Sequence, residues 1–145
     1  MRKNMSGADT LVDAEGAVRD YLASEEVNLR LTNSGDSIKV YEHEFNSDAP
    51  DTCIKVVASG GSGDKYLVLD YPLVRVWARS NKVPTAKTLI ARVDDELHRF
   101  GPAELNSEVF CNAMLRNTGK ERLDDPDNDL CQYFILYNMI CRRIN

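Results

Sequence analysis

The closing run LCQYFILYNMICRR, positions 130 to 143, is apolar on both of its alternating phases. Tyr133, Ile135, Tyr137 and Met139 fall on one side of an extended strand, and Phe134, Leu136 and Ile140 on the other. A strand with one wet face alternates apolar and polar. One that is apolar on both faces is central and covered, or meets another subunit. This run therefore demands a sheet with neighbours. The stretch SGGSGDKYLVLDYPLVRVWARS, positions 59 to 80, supplies the best candidate. Val74, Val76 and Ala78 share one face, while Leu73, Arg75, Trp77 and Arg79 share the other. Pro72 cannot donate a ladder hydrogen bond, so it belongs at the start of the strand or at an irregularity. The division that fits is a hairpin arm through about position 69, then the strand proper over 73 to 79.

The period changes in NKVPTAKTLIARVDDELHRFG. Ala86, Leu89, Ile90, Val93, Leu97 and Phe100 form one stripe at three- and four-residue spacing, which predicts a helix lying on a sheet. Pro84 and Thr85 mark its start, and Gly101-Pro102 its stop. A first helix is predicted over 10 to 24, with Thr10 as cap and Asp13 three residues on. Strands are predicted at 27 to 31, 38 to 45, 52 to 59, 108 to 116 and 130 to 142. The first two read as a hairpin around NSGDS, and an acidic loop covers 120 to 129. The expected fold is α+β: a mostly antiparallel sheet, two main helices packed against it, and an extended β-hairpin arm. Gly60, Gly61, Gly63 and Asp64 are expected to form the arm's flexible tip. With 145 residues the chain suffices for one core. Residues 1–9 read as a flexible tail and 10–145 as a single domain.

The glycine-rich stretch fails as a phosphate loop. Such a loop needs a lysine and a hydroxyl residue opening a helix, but Tyr66 follows Lys65 and the chain continues as strand. A dinucleotide fingerprint fails for the same lack of a helix. Asp125, Asp127 and Asp129 alternate like the first ligands of a calcium loop. Leu130 stands where the loop needs glycine, and Leu136 where it needs glutamate. His43 lies between Glu42 and Glu44, which point the opposite way on a strand, and His98 lies late on the second helix. No nucleophile elbow or compact metal motif is present. Cys53, Cys111, Cys131 and Cys141 match no zinc spacing and read as buried free thiols. The expectation is no enzyme, no cofactor and no bound metal. No run reaches the ~18 apolar residues of a membrane-spanning helix. The net charge of −5, from 23 acidic and 18 basic residues, removes the simplest argument for nucleic-acid binding.

Arg75, Trp77 and Arg79 form the face of interest. Two guanidiniums and an indole can stack bases, anchor a subunit interface, or lie packed along apolar neighbours. Tyr133 and Tyr137 on the last strand are candidates for the same contacts.

The order of blocks resembles the tail terminator (tail completion, minor tail) family of long-tailed bacteriophages. LVDAEGAVRDYL resembles the family's first helix, and CIKVVASGGSGD its strand running into a glycine pair. YPLVRVWARS resembles its proline, alternating valines and arginine. AKTLIARVDDELHRF resembles the helix that follows, and DDPDNDLCQYFILYNMICRR the closing turn and strand. The resemblance spans about 11 to 143. It departs between the last helix and last strand, where Asn117-Thr118-Gly119-Lys120 and an acidic loop replace a glycine-rich approach. The resemblance implies a structural virion protein at the head-proximal end of the tail, assembled in the host cytoplasm. It implies a ring of identical subunits, a hexamer, that caps the tail tube protein and meets a head–tail connector or stopper. No membrane partner is implied, and nucleic acid only as DNA passing through the channel. Another head–tail joining or head-completion protein, and a small nucleic-acid-binding or regulatory domain, stay open as alternatives.

Overall fold

The computed structural model describes residues 12–32, 36–64, 69–124 and 129–144, with backbone alone for 60–64. The tail 1–9, Thr10, and Asp125 and Asp127 of the acidic loop lie outside the described residues. The elements in chain order are α1 Ala14–Ala23, α2 Glu25–Leu31, β1 Val40–Glu42, β2 Cys53–Asp64, β3 Leu69–Ser80 and α3 Val83–Leu97. After these come β4 Ala103–Glu104, β5 Val109–Arg116, β6 Glu121–Arg122 and β7 Cys131–Arg143. The fold is α+β, with the strands in one sheet of order β1-β2-β3-β7-β5-β4 and β6 also paired to β7. Among the described strands only β1 runs parallel to its neighbour; the other pairings are antiparallel.

The two-phase strand is central in the sheet, with helices over one of its faces. β3 lies along one edge of β7, from Ser80 opposite Cys131 to Asp70 opposite Cys141. β6 and β5 share the other edge: Arg122 is opposite Tyr133, and Leu115 opposite Asn138. All three described helices cover the same sheet face. The core there joins Val18 and Leu22 of α1 and Ile90 and Val93 of α3 to Ile54, Val56, Val74, Val76, Ile135 and Met139. The predicted face of Val74, Val76 and Ala78 is the core face, and all three are fully buried. Pro72 sits where the ladder to β2 is irregular. The β2 register shifts between Ser59 and Ser62 opposite it, while the β7 register is the same at Asp70–Cys141 and Leu73–Asn138. A residue without an N–H costs least at such an irregularity.

Five expectations need correction. Residues 27 to 31 are helix, not strand, because Val27 and Leu31 point inward one turn apart while Leu29 is 51% exposed. Glu25 and Glu26 in the first turn and Arg30 in the last turn complement the helix dipole. Asn28, also buried, then clamps the incoming chain. Its amide nitrogen donates to the carbonyls of Leu22 (3.1 Å) and Ile38 (2.9 Å), and its Oδ1 accepts from Ile38 N–H (2.8 Å). The 38–45 segment consequently pairs in parallel with β2, over Val40–Glu42 only. Helix α1 begins at Ala14, with Asp13 as its cap accepting from Gly16 N–H at 3.0 Å. Helix α3 stops at Leu97 rather than at the glycine. Arg99 takes a positive φ of 66°, its N–H reaches Met114 O at 2.7 Å, and Phe100 bridges to Met114. Finally, Gly60, Gly61, Gly63 and Asp64 belong to β2, where Gly63 pairs with Asp70 and Asp64 with Leu69. The connection between the arm's strands is 65–68, outside the described residues.

One ionic cluster ties the three helices together. Arg30 of α2 donates to both carboxylate oxygens of Glu96 on α3, each at 2.8 Å, and Tyr21 Oη of α1 lies 3.4 Å from the same carboxylate. The Arg30 hydrogen bonds hold the Glu96 carboxyl below its usual pKa of 4.5. A carboxyl depressed by folding stabilises the fold above its unfolded pKa and loses that contribution as pH falls through the folded value. The melting-temperature gap between the wild type and Glu96→Gln is therefore expected to be full above about pH 4.5 and to close at lower pH. Thermal melts at a series of pH values check this. A gap that stays constant down to low pH would show that the cluster is not held by the ionised carboxylate.

Candidate functional site

Helices cover one face of the sheet; the other face is open among the described residues, apart from the loop over 43 to 51. Strand alternation and register determine what this open face carries. Lys55 of β2 lies beside Trp77 of β3, which lies beside Phe134 of β7. The next row is Val57, Arg75 and Leu136, and on the other side Cys53, Arg79 and Gln132. Phe45 enters from the loop. Together these form a stack in which cations and rings meet in turn. The Arg79 guanidinium lies 4.1 Å from the Phe45 ring centroid. Lys55 Nζ is 4.7 Å from the same ring and 4.7 Å from Trp77. Trp77 and Phe134 have centroids 4.6 Å apart, and Arg75 lies 5.2 Å from Phe134. Cation–ring contacts at these distances are attractive, more so where water is partly excluded.

The charges on this face are not neutralised by the described residues. None of Lys55, Arg75 and Arg79 forms an ion pair with a described carboxylate. By contrast Arg19, Arg30, Arg116 and Arg122 each have one within 3.4 Å. Arg75 Nε is buried without a hydrogen-bond partner among the described residues. Lys55 is held below the usual lysine range, first by burial and then by repulsion from Arg79, with Glu44 opposing. Arg79 is 7% exposed and anchors the loop above it, donating to Pro50 O at 2.9 Å and Asp51 O at 3.4 Å. It shapes this surface without being free to meet a partner.

The five residues singled out for an interface are thus split between two faces. Arg75, Trp77 and Arg79 share the open face. Tyr133 and Tyr137 pair with Ala78 and Val74 and point to the helices. Tyr137 is fully buried, and its hydroxyl donates to Asp94 Oδ1 at 2.9 Å, while Arg116 holds Asp94 Oδ2 at 2.6 Å. Burial, then the Asp94 charge, pushes the Tyr137 hydroxyl far above the usual tyrosine range, so it remains a proton donor. The sequence reading missed Phe45, Lys55 and Phe134 as members of the open face. The alternation of Lys55 in CIKVV was visible, but its neighbour Trp77 is fixed only by register.

The other candidates take structural places. His98 Nδ1 accepts from Arg116 N–H at 3.1 Å. His43 is exposed at a positive φ of 71°, 3.9 Å from Glu15. Cys53, Cys111, Cys131 and Cys141 are free and buried, and burial pushes Cys111 up to about 11 and Cys141 to about 12. Such thiols stay protonated at neutral pH and are poor nucleophiles. Among the described residues no three His, Cys, Asp or Glu side chains stand close enough to hold a metal ion. No described helix is long and apolar enough to cross a membrane.

No protein-family model matches the chain. No curated protein matches it either. Among solved structures it is similar to a chain in the virion of a native gene transfer agent particle, at 14% identity and a TM-score of 0.62. The match covers 89% of this chain and 94% of that one. At that identity the likeness is one of fold, extending over nearly the full length of both chains.

Proposed function

We propose that this chain is a structural, non-enzymatic virion protein that caps the tail tube and forms the tail-side surface for head–tail joining, as a hexameric ring. The observation that carries the reading is the near-full-length fold match to a virion chain of a gene transfer agent. The order of helix, glycine-interrupted strand, proline-led strand, amphipathic helix and closing strand supports it, being the order of the tail terminator family. So does the open sheet face, which presents Trp77 and Phe134 among cations that form no ion pair with the described residues, in a chain of net charge −5. Aromatic and arginine side chains are the common anchors of protein interfaces. A ring needs a heterologous contact, one surface of each subunit meeting a different surface of the next. The tube protein on one side and a connector or stopper on the other are the further partners. In this reading the chain resides at the head-proximal end of the tail.

Electron microscopy of particles made without the chain tests the assignment. Overlong or unjoined tails beside normal heads are the expected result. Joined tails of normal length with filled heads that leak DNA would instead assign it to head completion.

A further inference from the structure

Two of the four cysteines face each other across the sheet. Cys111, the third residue of β5, lies opposite Cys141, the third from the end of β7. The surrounding backbone bonds fix the kind of pair they make. Ile144 N–H donates to Glu108 O at 2.9 Å, so Glu108 and Ile144 are a hydrogen-bonded pair. Bonded and non-bonded pairs alternate along an antiparallel ladder. Val109–Arg143 is therefore non-bonded, Phe110–Arg142 bonded and Cys111–Cys141 non-bonded. The other edge of β5 agrees. Leu105 N–H donates to Val109 O at 2.9 Å, which turns the backbone groups of Val109 and Cys111 toward β4. Non-bonded partners have Cα atoms about 4.5 Å apart, the closest approach within a sheet. Disulfides span Cα separations of about 4.4–6.8 Å. Both thiols are fully buried on the helix side of the sheet. Burial first, then Asp70 and Cys111, push the Cys141 thiol up, a second sign that the two sulfurs are neighbours. Cys53 and Cys131 face other residues. Cys53 lies opposite Arg79, and Cys131 opposite Ser80, whose carbonyl accepts from its Sγ at 3.0 Å.

We propose that Cys111 and Cys141 are a reversible dithiol–disulfide pair that fastens β5 to β7 when the protein meets a small disulfide oxidant. One thiolate attacks a sulfur of the oxidant and displaces a small thiolate. The second attacks the protein sulfur of that mixed disulfide and displaces the other small thiolate. Two protein thiols and one small disulfide become one protein disulfide and two small thiols, which carry away both protons. The protein sulfurs are oxidised and the oxidant is reduced. Burial keeps the pair inert while the strands are closed. Access comes at the strand ends. β7 finishes on the exposed Arg142 and Arg143, and among the described strands only the two-residue β4 lies beyond β5. Strand ends open at lower cost than the middle of a core. Opening there frees both thiols together and relieves the burial that keeps them protonated. The disulfide closes a loop of about 30 residues and so restricts the unfolded chain. A chain made in a reducing cell and released in a particle passes from the dithiol to the disulfide form. That setting rests on the function proposed above; the chemistry does not.

The test incubates the reduced full chain with oxidised glutathione, then blocks free thiols with iodoacetamide in denaturant. Chymotrypsin cleaves after Tyr137 and so separates Cys131 from Cys141 for mass analysis. The expected result is one pair of peptides joined through Cys111 and Cys141, with Cys53 and Cys131 alkylated. The oxidised chain is expected to melt at least about 5 °C above the reduced one. Dithiothreitol should remove that gap, and Cys111→Ala should lack it. Peptide mapping needs the wild type alone, so the inference is tested even if Cys111→Ala folds poorly. All four thiols alkylated after prolonged oxidation overturns the inference. So do glutathione adducts on Cys111 or Cys141 without their linkage, bridges through Cys53 or Cys131, and a linked pair whose melting temperature is not raised. None of these outcomes alters tube capping by the reduced chain, so the proposed function stands or falls separately.

Discussion

Replacing Tyr137 with alanine is expected to destabilise the fold by about 3–5 kcal/mol, the range for removing a large aromatic from a packed core. The residue is fully buried on the helix side of the central strand. Truncation opens a cavity and removes the hydroxyl that donates to Asp94 Oδ1. Tyr137→Phe separates the two losses. It keeps the ring, leaves Asp94 bound to Arg116, and is expected to cost about 1 kcal/mol. Phe134→Ala, three residues away on the open face, should cost clearly less than Tyr137→Ala, because Phe134 is only partly buried. Denaturant unfolding of the three variants measures the differences. Equal losses from Tyr137→Ala and Phe134→Ala would contradict the assignment of the helix side as the core face.

The second large effect is expected at Asn28. Asn28→Ala removes three hydrogen bonds to Leu22 and Ile38 and leaves Ile38 N–H and the two carbonyls facing a gap. Unsatisfied buried groups cost about 1–3 kcal/mol, so a loss of about 2–3 kcal/mol is expected. Leu29→Ala should stay within about 0.5 kcal/mol, as exposed substitutions do. This pair of variants discriminates helix from strand at 27 to 31. A strand would put Val27, Leu29 and Leu31 on one face, reversing the two effects. Unfolding midpoints that drop for Leu29→Ala and not for Asn28→Ala would restore the strand reading.

That segment marks where sequence reading ran out. VNLRL satisfies a period of two and also places Val27 and Leu31 one helical turn apart, so five residues cannot decide between the patterns. The deciding contacts come from Ile38 and Glu96, distant in sequence. The parallel pairing of β1 was hidden for the same reason, since it depends on Asn28 delivering the chain to β2. The long elements were legible. Two apolar phases required neighbours for β7, the alternation of Val74, Val76 and Ala78 named the core face, and Pro72 announced an irregularity that the β2 ladder shows. The open face was legible in part. Arg75 and Trp77 follow from alternation alone. Joining them to Lys55, Phe45 and Phe134, and separating them from Tyr133 and Tyr137, requires the cross-strand register. The end of α3 was misplaced because Gly101 was a plausible stop, whereas bridging to Met114 ends the helix four residues earlier.

The most direct test of the tail-end role is to mix the purified chain with assembled tail tubes and determine its location and copy number by electron microscopy and native mass measurement. The account predicts a ring of six copies at one end of each tube, with tube growth halted there. Monomers at every concentration, with bare tube ends that continue to elongate, would contradict it.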